Sequence, residues 1–531
     1  MSDDEQHDGG GAEVDALPAA VTDLRRRRET IRRELGGVAR VARIHERGER
    51  TIRDHLSRFL DDGSFVEVGT FSRSANPADR DTTPGDGKIG GHGLVDGRPV
   101  TVWGDDVTVR RGSSSIVGSR KLDRLVEAAF RAGNPIVHFG QTGGARIPDT
   151  LGTEGFVEVT PGGLLPVRQR QVPMATAIVG QSFGGSSFYS AHSDFVVQVR
   201  GTSMAVTSPR VVEVATGEEV GFEELGGVDV HARLTGQIDQ IAEHDDEAYE
   251  LIRRFLSFLP SNIHEPPPRL PFDEVIEPDP GLYDLVPDNR RRAYDMRRVL
   301  GRLVDGGDFV EIRPQMGRSV VCALTRIAGH PVGVVASNPM FQAGVLGPDA
   351  IQKMTRLVLL CDSFSLPIVT LQDVPGFMVG KQVEHDRLLH KAIAAQQCLR
   401  LSGVPKITIV LRKAFGLAFF SLGGPDQGFD SILAWPGAEI GFMDPDVGAN
   451  VLYGTELASL PAGERAAELQ RRADALRDAT DPYDGAGVMK IDEIIDPADT
   501  RRALAEFLDR YGKRPFQSGA DRPLSSWPTC L

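Results

Sequence analysis

The sequence predicts an α/β fold built twice in one chain, and three observations carry that expectation. Val172-Pro173, Thr176 and Phe183-Gly184 recur as Val404-Pro405, Thr408 and Phe415-Gly416, a separation of 404 − 172 = 232 residues. Gly97, Pro99 and Val100 match Gly329, Pro331 and Val332 at the same offset, as Ile136-Val137 and Gly144 match Ile368-Val369 and Gly376. Each copy also runs strand, glycine turn, helix, strand, the order of a partly parallel sheet. A proline-dense stretch (Pro260, Pro266, Pro267, Pro268, Pro271, Pro278, Pro280, Pro287) separates the copies, and such density excludes helix and central strand. One further pair, Phe65-Val66-Glu67 and Phe309-Val310-Glu311, lies 244 apart, so one copy carries a 12-residue insertion after that element.

In chain order, residues 1–20 are acidic and Gly-rich and read as a disordered tail. Residues 25–60 place Leu24, Ile31, Leu35, Ile44, Ile52, Leu56 and Leu60 at helical spacing among arginines, which predicts a solvated amphipathic helix pair. Residues 65–68 and 99–103 read as strands, 119–132 as a helix, and 135–139 and 174–179 as apolar strands. Residues 244–259 form an amphipathic closing helix, 463–477 a charged one, and the segment after Pro515 is irregular. The expected organisation is two domains, 21–260 and 291–515, a Pro-rich linker at 261–290 and a tail at 516–531.

Length and composition agree. A chain of 531 residues, 40% hydrophobic and 25% charged, fits two ordinary globular domains rather than one core. A net charge of −14 argues against non-specific nucleic-acid binding, while leaving room for a local basic pocket. Cys322, Cys361, Cys398 and Cys530 show no CxxC spacing, which weakens zinc and redox readings and suits a reduced compartment. The N-terminus lacks the basic and apolar regions of a signal peptide, and no apolar run reaches the roughly 18 residues of a membrane span. The expectation is a cytoplasmic protein with no metal site and no membrane or nucleic-acid partner.

The chemistry-bearing candidates are glycine turns. Gln141-Thr142-Gly143-Gly144-Ala145-Arg146 ends one predicted strand and opens a predicted helix, where backbone N–H groups and a helix start suit an oxyanion. Any strand–helix connection also uses glycine for positive φ, so this string alone decides little. The second turn, Ser182-Phe183-Gly184-Gly185-Ser186, matches Ala414-Phe415-Gly416-Leu417-Ala418 at the same offset. Two such turns suggest two pockets for developing negative oxygen, each backbone-donor hole worth about 3–4 kcal/mol. No Gly-x-Ser-x-Gly elbow and no P-loop occur; His192, His385 and His390 stand alone, and Asp373, Asp444 and Asp446 read as caps before metal ligands.

Several strings together resemble the carboxyltransferase (β) subunit of biotin-dependent acyl-CoA carboxylases over residues 37–510. They are Thr83-Pro-Gly-Asp-Gly87, Gly143-Gly-Ala-Arg-Ile147, Thr216-Gly-Glu-Glu-Val220 with Glu224-Leu-Gly-Gly227, Val286-Pro-Asp-Asn-Arg-Arg-Arg292 with Tyr294-Asp-Met-Arg297, Asp373-Val-Pro-Gly-Phe377 and Trp435-Pro-Gly-Ala-Glu-Ile440. The resemblance implies tandem crotonase-like domains and a hexamer in which each active site lies between one subunit's N-domain and its partner's C-domain. It implies carboxybiotin on a biotin carboxylase/carrier (α) subunit as CO₂ donor and an acyl-CoA as acceptor. Gly144 and Ala145 would hold the thioester oxygen, and the amides of Leu417 and Ala418 the biotin carbonyl. Gly143, Gly184, Gly185, Gly376, Phe377, Gly416 and Phe420 would line the two ligands.

The chain departs from the family in Gln141-Thr142 for Asp-Ser, in Leu417 for a second glycine, in Phe420 where acyl chains are sorted, and in His390-Lys391-Ala392 for Arg-His-Gly. Leu417 is expected to narrow the second turn. Decarboxylation or transcarboxylation of a malonyl-type CoA uses the same site, and a non-catalytic paralogue scaffolding an active β subunit stands as the alternative of another class.

Overall fold

The computed structural model describes residues 18–159 and 170–527. The first sheet holds β1 (Val66–Glu67), β2 (Lys88–Val95), β3 (Arg98–Asp105), β4 (Ile136–Thr142), β5 (Met174–Phe183), β6 (Phe195–Val199), β7 (Ser203–Ala205) and β8 (Gln240–Ala242). The second holds β9 (Phe309–Ile312), β10 (Val320–Ile327), β11 (His330–Ser337), β12 (Ile368–Val374), β13 (Lys406–Phe415), β14 (Ser431–Ala434), β15 (Glu439–Gly441) and β16 (Glu493–Ile494). Their orders are β1-β2-β3-β4-β5-β6-β8, with β7 beside β5, and β9-β10-β11-β12-β13-β14-β16, with β15 beside β13. In each sheet the first three strands are antiparallel and the rest parallel.

The duplication reaches single contacts. Thr101 pairs with Ile136 and Gly333 with Ile368, the same register in both copies. A bulge falls at Gln141 in β4 and at Asp373 in β12. Lys121 Nζ donates to the Lys88 carbonyl at 2.6 Å, and Lys353 Nζ to the Val320 carbonyl at 2.7 Å. Burial pushes the Lys121 ammonium down to about 8, and these carbonyls are what make a charge tolerable there. Asp61 caps the Asp96 and Gly97 amides as Asp305 caps those of Ala328 and Gly329.

The two halves share a core in which Leu56, Val137 and Phe255 pack in one cluster with Val320, Leu360 and Leu399. Arg356 donates to the Ser193 carbonyl at 2.9 Å across the same boundary.

Several expectations shift. Residues 1–17 and 528–531, including Cys530, lie outside the described residues, and helix begins at Ala19, inside the expected tail. The helix pair is three helices, Ala19–Glu34, Val38–Glu46 and Ile52–Phe59. Gly37, at φ 130, breaks the first join, and a capping box between Thr51 and Asp54 starts the third helix. The strand at 65–68 shortens to two residues. The C-terminal segment is irregular but packed: it makes two 3₁₀ turns, Gly519–Asp521 and Pro523–Ser526, and Leu524 is fully buried. The insertion lies between β1 and β2 of the first copy, where residues 68–87 include the 3₁₀ turns Pro77–Thr82 and Pro84–Gly87. Among the described residues no helix is long and apolar enough to cross a membrane, and no group of three His, Cys, Asp or Glu could hold a metal ion.

Candidate active site

The helix expected after Ala145 is a single turn, Ile147–Thr150, so no helix charge gathers there. The backbone stays extended through Arg146 because Ser114 bridges Ala145: Ser114 N–H donates to the Gly144 carbonyl at 2.9 Å, and Arg146 N–H to the Ser114 carbonyl at 2.8 Å. Gly143 N–H is committed to the Arg111 carbonyl (2.9 Å) and Gly144 N–H to Thr142 Oγ1 (3.3 Å). The Ala145 amide donates to nothing among the described residues. Arg146 is clamped from the 3₁₀ turn that leads into β2: Asp86 Oδ1 accepts from its Nη1 at 2.5 Å, with both side chains buried.

The second turn does open a helix, Gly185–His192, with Gly184 at φ 62. Gly184 N–H goes to the Val206 carbonyl (3.1 Å), and the Gly185 amide has no acceptor among the described residues. The two turns touch. A Cβ on Gly184 would stand 3.7 Å from Gly144 Cα, and one on Gly185 3.4 Å from Ser114 Oγ. Gly143, Gly144, Ala145, Gly184 and Gly185 therefore converge on one spot offering the Ala145 and Gly185 amides.

Beneath it lies a buried polar chain that the sequence reading missed. Ser186 Oγ sits 3.3 Å from His138 Nε2 and accepts from Ser182 Oγ at 3.0 Å. Burial drives the His138 imidazolium down to about 4, so it is neutral near pH 7. Serine and histidine 48 residues apart on a strand and a helix leave no local signature.

The second copy repeats the construction. Leu346 bridges Phe377 as Ser114 bridges Ala145, Gly376 has φ 147, and Gly416 has φ 62. The Phe377, Leu417 and Ala418 amides have no acceptor among the described residues. Pseudo-symmetry pairs Gly144-Ala145 with Gly376-Phe377, and Gly184-Gly185 with Gly416-Leu417. The Leu417 side chain is 62% exposed, so it does not narrow its own turn as expected. Phe420 is half-buried, with its ring 5.4 Å from that of Phe419, and packs with Val410, Ile432 and Ala438.

Beside the first turn opens a cleft of about 1030 Å³, lined by Gln141, Thr142, Gly143 and Gly180 and rimmed by arginines. Arg50 and Arg200 are held by Asp246 and Glu243. Arg111 has no carboxylate within 4.0 Å among the described residues; Arg43 has none either, and Arg47 reaches only Glu49 at 4.0 Å. The counterpart cleft in the second copy is filled. Arg412 pairs with the bulge residue Asp373 at 2.9 Å and donates to the carbonyls of Pro287, Asn289 and Arg292. Lining residues of the open cleft come from the first copy alone.

These features define a duplicated crotonase-type enzyme fold with backbone-donor turns in both copies and an open cleft beside the first. The carboxyl transferase domain matches residues 43–520, and the chain belongs to that family. The methylmalonyl-CoA carboxyltransferase 12S subunit of Propionibacterium freudenreichii is 36% identical, covering 90% of this chain and 92% of that protein. The propionyl-CoA carboxylase beta chain of Saccharopolyspora erythraea is 36% identical, with coverages of 96% and 97%. The crystal structure of the transcarboxylase 12S hexamer with methylmalonyl-CoA bound superposes with a TM-score of 0.86 at 34% identity, covering 95% of this chain and 98% of that one.

Proposed function

We propose that the chain is the carboxyltransferase subunit that moves CO₂ from carboxybiotin, held on a separate carrier subunit, to the α-carbon of an acyl-CoA. The observation that carries this is the asymmetry between copies: both keep open amide turns, and the cleft against the strand-end bulge is open and arginine-rimmed at Gln141 in the first copy but filled by Arg412 at Asp373 in the second. The first-copy cleft would take the coenzyme A portion, with Arg43, Arg47 and Arg111 toward its phosphates. The Ala145 and Gly185 amides would then stabilise the thioester enolate oxygen. The second copy's Phe377, Leu417 and Ala418 amides, without acceptors among the described residues, would take the ureido carbonyl of biotin. Once bound there, biotin would supply both the CO₂ and the base, so the chain needs no catalytic acid or base of its own.

The arrangement also favours an assembly in which one chain's first copy faces another's second copy. Exposed apolar residues flank both turns, Val206, Val211 and Val214 on the first and Phe442, Val447 and Val451 on the second. A hexamer of such pairs is the proposed state. The test is carboxylation of an acyl-CoA panel by the full chain with a biotinylated carrier subunit, ATP and bicarbonate. Product with at least one acyl-CoA is expected; none with any member, from a chain that binds acyl-CoA, would leave the scaffold reading.

A further inference from the structure

A second cleft, of about 1010 Å³, opens beside the second copy, with Gly347 and Met378 in its lining and Arg233 reaching it from the first copy. Arg318, Arg387 and Lys391 line it, and none has a carboxylate within 4.0 Å among the described residues. Arg318 lies over the Phe341 ring, 3.7 Å from its centroid, which fixes its guanidinium plane without neutralising it. Arg387 sits at φ 65, a left-handed conformation that costs an L-residue on the order of 1 kcal/mol and puts its side chain at the cleft. The lining holds two acids: Asp386 accepts from Gln382 at 3.0 Å, and Asp349 lies exposed in the first turn of the helix Pro348–Ser363. The three cations thus leave the lining with an excess of positive charge rather than free of carboxylates. Such a gathering is unexpected in a chain of net charge −14.

The first copy explains what is missing. There Asp86 places its carboxylate at the start of the helix Ile116–Ala132, accepting from Ser115 Oγ at 2.5 Å, Gly118 N–H at 3.0 Å and Arg146. An anion is built into that spot. At the 232 offset the second copy has Arg318 for Asp86, Gly347 for Ser115 and Met378 for Arg146. The helix Pro348–Ser363 consequently starts without a side-chain cap, and Gly317 packs so close that a Cβ there would stand 2.8 Å from Ala350 N. The internal carboxylate has been exchanged for a cation, and two more cations face the same opening.

We propose that this cleft binds a small phosphate-bearing anion of diphosphate size, separate from the acyl-CoA cleft and independent of which carboxyl transfer the chain performs. Two arginines and a lysine offer the forked and point donors that multi-oxygen phosphates take. The uncapped helix start lies alongside, where the first copy already holds a carboxylate.

Calorimetric titration of the full chain with pyrophosphate tests this, at low and at physiological ionic strength. Arg318→Gln with Arg387→Gln is expected to weaken binding at least about tenfold, with the melting temperature unchanged because both side chains are exposed. Arg318→Asp reverses the charge with the first copy's residue and is expected to abolish binding. Arg43→Gln with Arg47→Gln, in the other cleft, should leave this site's binding as it was. No binding by the native chain, binding that survives the Arg318 and Arg387 variants, or binding lost only with Arg43 and Arg47 overturns the proposal.

Discussion

Gly180 and Arg412 hold the same place on β5 and β13, and the difference between them is the difference between the two copies. A Cβ on Gly180 would stand 2.9 Å from the Cβ of Gln141. In the second copy Asp373 replaces that glutamine, and Arg412 binds it at 2.9 Å while lacing the Pro287–Arg292 carbonyls to the sheet. One missing side chain leaves a ligand cleft, and one large cation closes its counterpart.

Gly180→Ala is therefore expected to raise KM for acyl-CoA several-fold and to cost about 1–3 kcal/mol of stability, since the methyl group would meet the Cβ of Gln141 and β4 must shift to admit it. Gly180→Arg should abolish acyl-CoA binding. Both are read by steady-state kinetics and equilibrium binding of coenzyme A; unchanged KM in both variants would place the ligand elsewhere.

Arg412→Ala leaves Asp373 buried with its charge uncompensated, which costs about 3–5 kcal/mol for a pair of this kind. Arg412→Met with Asp373→Leu should recover most of that stability. Chemical denaturation of the three chains checks it. A single variant as stable as the native chain would show that water reaches the carboxylate.

Arg43→Gln, Arg47→Gln and Arg111→Gln are each expected to raise KM for acyl-CoA about 10-fold or more, the worth of a charge-assisted hydrogen bond of ~1.5–3 kcal/mol. The effect should shrink as salt is raised, with kcat nearly constant. A fall in kcat at unchanged KM would move these residues from binding to chemistry.

Much of this architecture was legible in the chain because duplication prints each structural device twice. The 232 offset located the strands, both glycine turns and the insertion. What stayed illegible depends on contacts between distant residues. His138 meets Ser186 only once a strand and a helix pack, and the first turn lost its helix because Ser114 bridges Ala145. Leu417 looked obstructive by side-chain size, whereas its 62% exposure follows from which way the helix start faces.

His55 and His138 set an acid limit. Burial lowers both to about 4, against 6.5 when unfolded, and Arg50 adds to the effect at His55. The unfolded chain then binds more protons between pH 6.5 and 4, so stability is full above pH 6.5 and falls as the pH drops through that window. At pH 5 each histidine should cost about 2 kcal/mol relative to pH 7. The slope of melting temperature against pH should flatten in His55→Gln and again in His138→Gln; identical slopes in all three chains would remove the histidines from the account.

The oxyanion assignment is tested by deleting a donor rather than a side chain. Gly185 is the first residue of its helix, a position where proline fits the backbone and removes only an N–H that the helix does not use. Gly185→Pro is expected to lower kcat about 100- to 1000-fold, the typical loss for one oxyanion donor, with KM for acyl-CoA nearly unchanged. Leu417→Gly is the matched control on the second copy, because it keeps the amide and removes an exposed side chain. It should change kcat less than about 3-fold and leave the melting temperature where it was, as exposed substitutions do. The pair separates two accounts of the turns. If backbone donors do the work, proline at 185 is ruinous and glycine at 417 is silent. If Leu417 blocks the second site in the assembled protein, Leu417→Gly raises turnover instead, and the native chain is the poor catalyst of the two.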